Sequence, residues 1–344
     1  MKFVIDKAIP FIEGVLEPFG ETEYLDGASI GAAQARDADA LLIRTRTKCD
    51  AAMLENSKVR IIATATIGTD HIDLDYCKQK GIWVQNSSGC NAGGVMNYVL
   101  SAIYGIASRM RMPLKGATVG IIGVGNVGSR VMQTLTLMGF QTLLCDPPRA
   151  EAEGSAQFCD LDFLLRNSDI VTMHVPLNGS TRGMADASFF SKMKLGAIFV
   201  NASRGEIVME EDLLSASEKL GAVVIDTWCN EPRINKALVE KASIATPHIA
   251  GYSFQGKLRG TSMAVRAVAR HLGIKELYDF FPDVREEAKD AVKLDLRGKS
   301  EGQIASVIQY NYPIFTDDFM FRVNPDDFEK LRENYHYRRE FFID

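Results

Sequence analysis

Short apolar runs alternate with helical patterns along the first hundred residues of the chain. Runs rich in Val, Ile, Leu and Thr have the composition of buried strands, and they are KFVID (2–6), ALLIRT (40–45), RIIATAT (60–66) and IWVQNS (82–87). The segments between them, such as IDLDYCKQK (72–80), predict helices. Strands that alternate with helices predict a parallel sheet covered by helices.

A second series of the same kind begins at Thr118. TVGIIG predicts a buried strand, and SRVMQTLTLMGF predicts the helix that follows it. Four further candidates for parallel strands are TLLCD (142–146), DIVTMHVP (169–176), AIFVNAS (197–203) and AVVIDTW (222–228). The two series together predict an α/β fold with two Rossmann-like domains, each a doubly wound parallel sheet.

Two long helices and a tail without the strand–helix alternation complete the pattern. Apolar residues at helical spacing predict helices from about 97 to 110 and from 253 to about 272. Beyond residue 283, VIQYNYPIF (307–315) predicts a strand, and PDDFEKLRENYHYRRE (325–340) predicts a helix with an acidic start. We therefore expect the tail to form a small α+β unit.

Composition and charge narrow the class of protein. A length of 344 residues suits about two domains, and 46% hydrophobic with 24% charged residues is ordinary for a globular protein. The net charge of −5 gives no electrostatic support to a role in coating nucleic acid or binding a membrane surface. The six cysteines lack CxxC or zinc-site spacing, so we expect thiols, no bound metal and a reducing compartment. The start MKFVIDKAIP lacks the pattern of a signal peptide, which favours the cytoplasm.

The segment GVGNVG at 123–128 has the spacing of a dinucleotide-binding turn. It follows a predicted strand, opens a predicted helix, and precedes Asp146 at the end of the next strand. Gly123 would permit the tight turn, Gly125 would let the backbone approach a pyrophosphate, and Gly128 would let the helix pack closely. A carboxylate at Asp146 would bind the ribose hydroxyls and repel a 2′-phosphate, which favours NAD over NADP. Arg149 lies close enough in sequence to weaken that discrimination.

Three motifs at predicted carboxyl ends of strands carry candidate chemistry. They contain Arg204 in NASRG, Glu231 in DTWCNEP and His248 in TPHIAG. Oxidation of a secondary alcohol by NAD needs a base for the hydroxyl proton, a cation for the substrate and a carboxylate that supports the base. A lone histidine at a strand end is more often structural than catalytic, and His174 in MHVPL competes for the role of base. His71 in GTDHID is expected to be structural.

The order of these motifs resembles that of the D-isomer-specific 2-hydroxyacid dehydrogenases over roughly residues 1–275. The resemblance implies that Arg204, Glu231 and His248 are the catalytic residues and that His174 lies on the cofactor side. It also implies a substrate-binding domain with a nucleotide-binding domain inserted into it and a C-terminal dimerisation domain. The expected boundaries are 1–95 with 253–280 for the first, 96–252 for the second and 281–344 for the third.

The same resemblance implies which residues contact NAD. They lie in the glycine-rich turn and after the strand ends. The implied set is Gly123, Gly125, Asn126, Val127, Gly128, Asp146, Val175, Ala202, Ser203, Asp226 and Gly251.

Several segments resemble a branch of the family that oxidises a phosphorylated 2-hydroxy acid. These segments are IRTRTK (43–48), TATIGTDHID (64–73), GCNAGGV (89–95), LLCDPPRA (143–150) and HIAGYSFQGKLRGT (248–261). The resemblance implies that Thr45, Thr66 and Tyr252 contact the substrate. Chemistry adds four candidates for its phosphate, of which Arg46 and Lys257 could equally be surface charges; the four are Arg44, Arg46, Lys257 and Arg259.

The sequence departs from the family pattern at two places, and it leaves two other functions possible. Family members commonly have Glu where Asn97 stands and bulkier residues at 93 and 94, so the Gly93–Gly94 pair is expected to loosen the helix start. One rival is another enzyme of the family, of the 3-phosphoglycerate or glyoxylate/hydroxypyruvate type. The other is a non-enzymatic protein similar to the NAD-binding corepressors, with a homodimer built on the nucleotide domain rather than on the tail.

Overall fold

The computed structural model describes residues 1–344, apart from the side chain of Ala288. The strands are β1 (Lys2–Asp6), β2 (Glu21–Leu25), β3 (Ala40–Ile43), β4 (Ile61–Thr64), β5 (Trp83–Asn86), β6 (Thr118–Ile122), β7 (Gln141–Cys145), β8 (Ile170–Met173), β9 (Ile198–Asn201), β10 (Ala222–Ile225), β11 (Ile244–Ala245), β12 (Val292–Leu294) and β13 (Phe341–Ile343). The α-helices are α1 (Ala32–Ala35), α2 (Ala51–Leu54), α3 (Leu74–Lys80), α4 (Ala92–Met110), α5 (Asn126–Leu137), α6 (Pro147–Glu153), α7 (Leu161–Asn167), α8 (Ala187–Lys192), α9 (Glu210–Ala216), α10 (Lys236–Lys241), α11 (Phe254–Leu272), α12 (Glu286–Lys289), α13 (Glu301–Asn311), α14 (Ile314–Val323) and α15 (Phe328–Glu333). Short 3₁₀ helices lie at Glu17–Phe19, Gly27–Ser29, Ser155–Gln157, Gly205–Ile207, Lys275–Leu277 and Pro325–Asp327.

The first compact unit combines residues 1–91 with residues 253–290. Its five strands pair in parallel in the order β2-β1-β3-β4-β5, and α11 packs against β4 and β5. Helix α11 begins where the Ser253 side chain accepts a hydrogen bond from the Gly256 N–H, and it ends at Gly273 in the left-handed conformation. Four strands of this sheet confirm the sequence prediction. Strand β2 has no counterpart among the predicted strands, because it is a polar edge strand without an apolar run.

The second compact unit combines residues 92–252 with residues 291–344. Six parallel strands pair in the order β11-β10-β9-β8-β6-β7, so the strand order reverses between β6 and β8. The carboxyl ends of parallel strands share one edge of a sheet, and the crevice at such a reversal is the usual ligand site of a doubly wound fold. The segments after β6, β7, β8, β9, β10 and β11 carry the predicted cofactor and catalytic motifs, and the structure therefore brings them to one edge. The fold class is confirmed.

Helix α4 is the centre of the second unit, and the C-terminal segment covers part of it. Its residues are buried from Ala92 to Ala107, and it packs against α5, α13, α14 and β13. The expected loosening at Gly93 and Gly94 is wrong, because both glycines lie inside the buried helix. A Cβ atom at Gly93 would overlap the carboxylate of Glu340, so glycine is what lets the chain end lie against the helix.

Two predictions for the tail are wrong. Residues 307–315, predicted as a strand, form the end of α13 and the start of α14 instead. Helix α13 begins with a capping box in which Ser300 and Gln303 satisfy each other's backbone N–H groups, and Ile308 on its inner face is fully buried. The predicted helix over 325–340 ends at Glu333, and the chain then extends into β13, which pairs with β12 in a two-stranded parallel sheet.

The domain boundaries differ somewhat from the predicted ones. The first break lies at 91/92 rather than 95/96, and the first unit extends to residue 290. Residues 291–344 belong to the same compact unit as the nucleotide-binding fold, and their role in dimerisation stays a prediction. Among the residues described, no helix is long and apolar enough to cross a membrane.

Candidate active site

The nucleotide turn, residues 123–128, connects β6 to α5 and needs glycine for steric reasons. Gly123 has φ 84°, and a Cβ there would lie 2.8 Å from the carbonyl group of His174 at the end of β8. A Cβ at Gly128 would overlap the carbonyl oxygen of Gly123. Gly123 is therefore required by packing against the end of β8, and Gly128 by packing within the turn.

Gly125 is different, because a Cβ there would meet no protein atom within 4 Å. It is the N-cap of α5, and its side of the turn faces open space at the positive end of a 12-residue helix. Backbone N–H groups at such a helix start bind pyrophosphate oxygens when no side chain blocks the approach. The turn therefore fits the pyrophosphate of NAD. The predicted contacts Asn126 and Val127 lie in the first turn of α5.

Asp146 follows β7 and lies beside the nucleotide turn. Its carboxylate accepts hydrogen bonds from the N–H groups of Val124 at 2.7 Å and Arg149 at 3.1 Å. A carboxylate has about four acceptor positions, so two remain for ribose hydroxyls. The guanidinium of Arg149 binds both carboxylate oxygens of Glu153 at 2.7 and 2.6 Å. Glu153 therefore offsets the positive charge with which Arg149 could attract a 2′-phosphate. This geometry favours NAD.

His248 and Glu231 form the predicted pair of base and carboxylate. Nδ1 of His248 lies 2.8 Å and 3.0 Å from the two carboxylate oxygens of Glu231. Burial would raise the pKa of Glu231, but the charge and hydrogen bond of His248, the Trp228 N–H and Arg332 together lower it. Because Glu231 is then an ionised acceptor, Nδ1 carries the proton and donates it. The other ring nitrogen, Nε2, is left for proton exchange with a substrate.

A buried carboxylate holds the loop that carries His248. Asp226 accepts hydrogen bonds from the Thr246 hydroxyl at 2.7 Å and from the N–H groups of Ile249 and Ala250 at 2.8 and 3.0 Å. Burial raises the pKa of Asp226, although His248 and these hydrogen bonds oppose the rise. His248 itself has φ 56°, a strained conformation for a residue with a side chain, and its N–H donates to the Asp226 carbonyl. The prediction that Asp226 contacts NAD is untested, and the structure gives it this role in the loop.

Arg204 lies after β9 on a segment that packs tightly against the Glu231 loop. A Cβ at Gly205 would overlap the backbone of Trp228, and the Trp228 N–H donates to Glu231 at 3.0 Å. The side chain of Asn201 fixes the turn by accepting from Ser203 and donating to the Arg204 carbonyl at 3.0 Å. Arg204 is half-buried, and its role toward a substrate carboxylate stays a prediction.

The rival base, His174, does not suit proton transfer. Burial lowers the pKa of His174 to about 3, so its imidazole is too weak a base to hold a proton at physiological pH. Its Nε2 lies 3.0 Å from the Thr172 hydroxyl, and its backbone abuts Gly123 of the nucleotide turn. This position agrees with the cofactor side. The other predicted cofactor contacts, Val175, Ala202, Ser203 and Gly251, also follow strand ends of the same sheet.

Four of the remaining predicted substrate residues lie in the first unit, and they are Arg44, Thr45, Thr66 and Arg259. Thr45 is exposed after β3, and the hydroxyl of Thr66 lies 2.7 Å from that of Thr64. Arg44 donates to the Ala8 carbonyl at 3.1 Å, and Arg259 on α11 donates to the Cys90 carbonyl at 2.9 Å. These contacts orient two of the basic side chains, and their role toward phosphate stays a prediction.

One arginine that no sequence pattern singled out lies beside Glu231. Arg332 of α15 has Nη1 4.0 Å from a carboxylate oxygen of Glu231, and Nη2 3.4 Å from the hydroxyl of Tyr252. We call Glu231, His248, Tyr252 and Arg332 the catalytic corner. In the sequence, Arg332 belongs to a charged segment that looks like any solvent-exposed helix, so local pattern could not identify it.

Comparison with known proteins assigns this arrangement to a family. The family profile described as "D-isomer specific 2-hydroxyacid dehydrogenase, NAD binding domain" matches residues 103–250. The erythronate-4-phosphate dehydrogenase of Bacteroides fragilis is 41% identical over 99% of this chain and 97% of its own length. That of Escherichia coli O1:K1 is 38% identical over 99% of this chain and 92% of its own length.

Solved structures show the same fold at lower identity. A Thermus thermophilus protein has a TM-score of 0.70 and 22% identity, covering 83% of this chain and 100% of its own. The NAD⁺-bound 3-phosphoglycerate dehydrogenase of Entamoeba histolytica has a TM-score of 0.67 and 24% identity, covering 83% of this chain and 99% of its own. At this identity the likeness concerns the fold alone.

Proposed function

Because the chain belongs to the erythronate-4-phosphate dehydrogenases, within the D-isomer-specific 2-hydroxyacid dehydrogenase family, we propose that it oxidises 4-phospho-D-erythronate at C2 with NAD. The product is (R)-3-hydroxy-2-oxo-4-phosphobutanoate, and the step belongs to pyridoxal 5′-phosphate biosynthesis. The observation that carries the proposal is the hydrogen-bonded pair of His248 and Glu231 on the sheet that also bears the nucleotide turn.

The first part of the mechanism is proton transfer. Nε2 of His248 takes the proton of the C2 hydroxyl as the C2 hydride leaves, so the carbon–oxygen single bond becomes a carbonyl. Glu231 stabilises the resulting imidazolium through Nδ1 at 2.8 Å. In the reverse direction the same imidazolium returns the proton to the carbonyl oxygen.

The second part is the binding of the cofactor and the substrate acid. NAD, when bound, supplies the nicotinamide ring as hydride acceptor. Gly125 and the start of α5 would hold the pyrophosphate, and Asp146 would hold the ribose hydroxyls. Arg204 would bind the substrate carboxylate and polarise the reacting C2 oxygen.

The substrate phosphate needs its own basic site. We assign it to Arg44 and Arg259 of the first unit, and we keep Thr45, Thr66 and Tyr252 as predicted contacts of the substrate. Arg46 and Lys257 are further candidates. Planar guanidinium groups bind phosphate oxygens in pairs, which suits the two arginines that the backbone carbonyls of Ala8 and Cys90 already orient.

A substrate panel tests the proposed function. NADH formation is measured with 4-phosphoerythronate, 3-phosphoglycerate, glycerate and glycolate in parallel, with a 2-oxo acid added to one series to reoxidise any retained NADH. We expect turnover with 4-phosphoerythronate alone. Turnover with another acid would support the dehydrogenase reaction but contradict the proposed substrate. Bound NAD without any turnover would favour the corepressor-like alternative.

We also propose a homodimer that forms through the C-terminal segment. Exposed apolar side chains gather on α14, where Phe319, Met320 and Val323 are 63%, 49% and 57% exposed and lie within one turn of each other. Exposed apolar patches of this kind are typical of subunit interfaces. Nothing in the proposed reaction calls for nucleic acid or a membrane, and we expect the enzyme in the cytoplasm.

Point substitutions test the dimer better than truncation, because removing residues 291–344 would uncover the buried helix α4. Light scattering should give twice the chain mass for the wild type and the single mass for the double variant Phe319→Asp, Val323→Asp. Leu195→Asp, which changes an even more exposed residue elsewhere, is the control and should stay dimeric. A double variant that remains dimeric would move the interface away from α14.

A further inference from the structure

Helix α15 carries one arginine that points inward and one lysine that points out. The side chain of Arg332 is 18% exposed, whereas that of Lys330 is 73% exposed. The guanidinium carbon of Arg332 lies 5.6 Å from the centre of the Phe328 ring and 5.9 Å from that of Tyr252. Both rings therefore lie within cation–π distance of the guanidinium in the catalytic corner.

The hydrogen bonding of Arg332 is incomplete, and burial makes this unfavourable. Nη2 donates to the Tyr252 hydroxyl at 3.4 Å, and Nη1 lies 4.0 Å from Glu231, but Nε is buried and has no partner among the described residues. A buried cation with an unsatisfied donor costs stability. Its position is therefore better explained by the site it faces than by a contribution to folding.

The charges around His248 come from two parts of the chain. Asp226 and Glu231 on the segment after β10 are both negative when ionised, and Arg332 on α15 is positive. Burial would lower the pKa of Arg332, but Tyr252, Glu231 and Asp226 raise it, so the guanidinium stays charged. Arg332 therefore offsets part of the negative charge that stabilises an imidazolium at His248.

The balance of charge around His248 matters because we propose that the enzyme oxidises its substrate. Oxidation begins with a neutral imidazole that must accept a proton, and a single uncompensated carboxylate would keep it protonated over more of the pH range. Tyr252, the second partner of Arg332, is also stacked edge-to-face by Tyr335 and Tyr337, both with ring centres at 6.1 Å. One guanidinium thus acts on the base and on a predicted substrate contact.

We propose that Arg332 is a positioning residue of this enzyme: it offsets the charge that Glu231 presents to His248 and orients the Tyr252 hydroxyl, so that the C-terminal segment completes the catalytic corner. The inference rests on the proposed function for its kinetic consequence. The charge effect itself concerns residues of this chain and can be measured without substrate.

The test compares three variants. Arg332→Gln removes the charge and keeps a donor for Tyr252, Arg332→Lys keeps the charge and loses the planar fork, and Lys330→Gln makes the same change of charge on the exposed side of α15. The first readout is the acid limb of kcat/KM against pH with 4-phosphoerythronate. The second is an NMR titration of ¹³C-labelled histidines in the full-length protein, in which His248→Asn assigns one signal among five.

We expect Arg332→Gln to move the acid limb and the His248 titration to higher pH by about 0.5–1 unit. Arg332→Lys should restore the wild-type position of both, while its KM stays several-fold higher because Tyr252 loses the planar partner. Lys330→Gln should change neither readout. Circular dichroism and NAD binding check that each variant folds. If Arg332→Gln does not fold, Arg332→Lys still tests the proposal, because an acid limb displaced in that variant would contradict the charge effect.

Two results would overturn the proposal. One is an Arg332→Gln titration that coincides with that of Lys330→Gln. The other is a loss of kcat in both Arg332 variants without movement of the acid limb, which is what a purely structural arginine would give. If 4-phosphoerythronate is not a substrate, the proposed function fails, and the NMR titration still decides the role of Arg332.

Discussion

The nucleotide turn and the catalytic corner lie on the same sheet but are built in opposite ways. The nucleotide turn consists of six consecutive residues, and its fit to a ligand comes from backbone groups and missing side chains. The catalytic corner consists of four side chains, of which Arg332 is 101 positions after Glu231 in the sequence. Steric substitutions should therefore disrupt the first site, and substitutions that change charge should disrupt the second.

The largest effect is expected at the base. His248→Asn should lower turnover by at least about 10², because no other group takes the proton from the C2 hydroxyl. NAD affinity, measured by fluorescence titration, should stay within about twofold of the wild type, because the nucleotide turn is built from other residues. An active variant would mean that the base lies elsewhere and that the catalytic corner is not catalytic.

The nucleotide turn should respond to added methyl groups in two distinct ways. Gly125→Ala adds a Cβ that meets no protein atom, so the melting temperature should be kept while NAD affinity falls by roughly 10- to 100-fold. Gly128→Ala would overlap the Gly123 carbonyl, so it should lower both NAD affinity and the melting temperature. Calorimetry and NAD titration separate the two outcomes, and equal melting losses in both variants would contradict the steric distinction.

Asp146 should affect the choice of cofactor more than the rate. Asp146→Ala removes the carboxylate that would meet a 2′-phosphate, so the ratio of kcat/KM for NAD over NADP should fall about tenfold. Asp146→Asn is the matched variant, since it keeps the shape and loses the charge. An unchanged ratio in both would remove Asp146 from the ribose site.

The smallest expected effect is on how the free energy of unfolding depends on pH. The pKa of Glu231 in the fold lies below its ordinary value of 4.5, so Glu231 adds stability that is present above that value and is lost as the pH falls through the folded pKa. The difference in unfolding free energy between the wild type and Glu231→Gln should therefore be largest near neutral pH and should shrink below pH 4.5. Urea unfolding at several pH values measures it, and a constant difference would show that the ion pair adds nothing.

The tail shows where sequence prediction failed and why. Residues 307–315 contain Val, Ile and Tyr in a run that is typical of a strand, yet packing against α4 and the cap at Ser300 make them helical. The amide of Asn97 pairs with both backbone groups of Phe341, accepting at 3.0 Å and donating at 2.8 Å. Asn97, where this chain departs from the family pattern, thus holds strand β13 through a residue 244 positions away. No local pattern could predict that contact.

Local sequence pattern was enough to predict the alternation of strands and helices, the nucleotide turn and the positions of Arg204, Glu231 and His248 after strand ends. These features follow from the periodicity of apolar residues and from the sterics of glycine, which act over a few residues. Tertiary packing alone makes Asp226 hold the His248 loop, keeps the half-buried His174 neutral and brings Arg332 to the catalytic corner. Charge and hydrogen bonding act between side chains that meet only when the chain has folded, so their partners are set by packing and not by spacing.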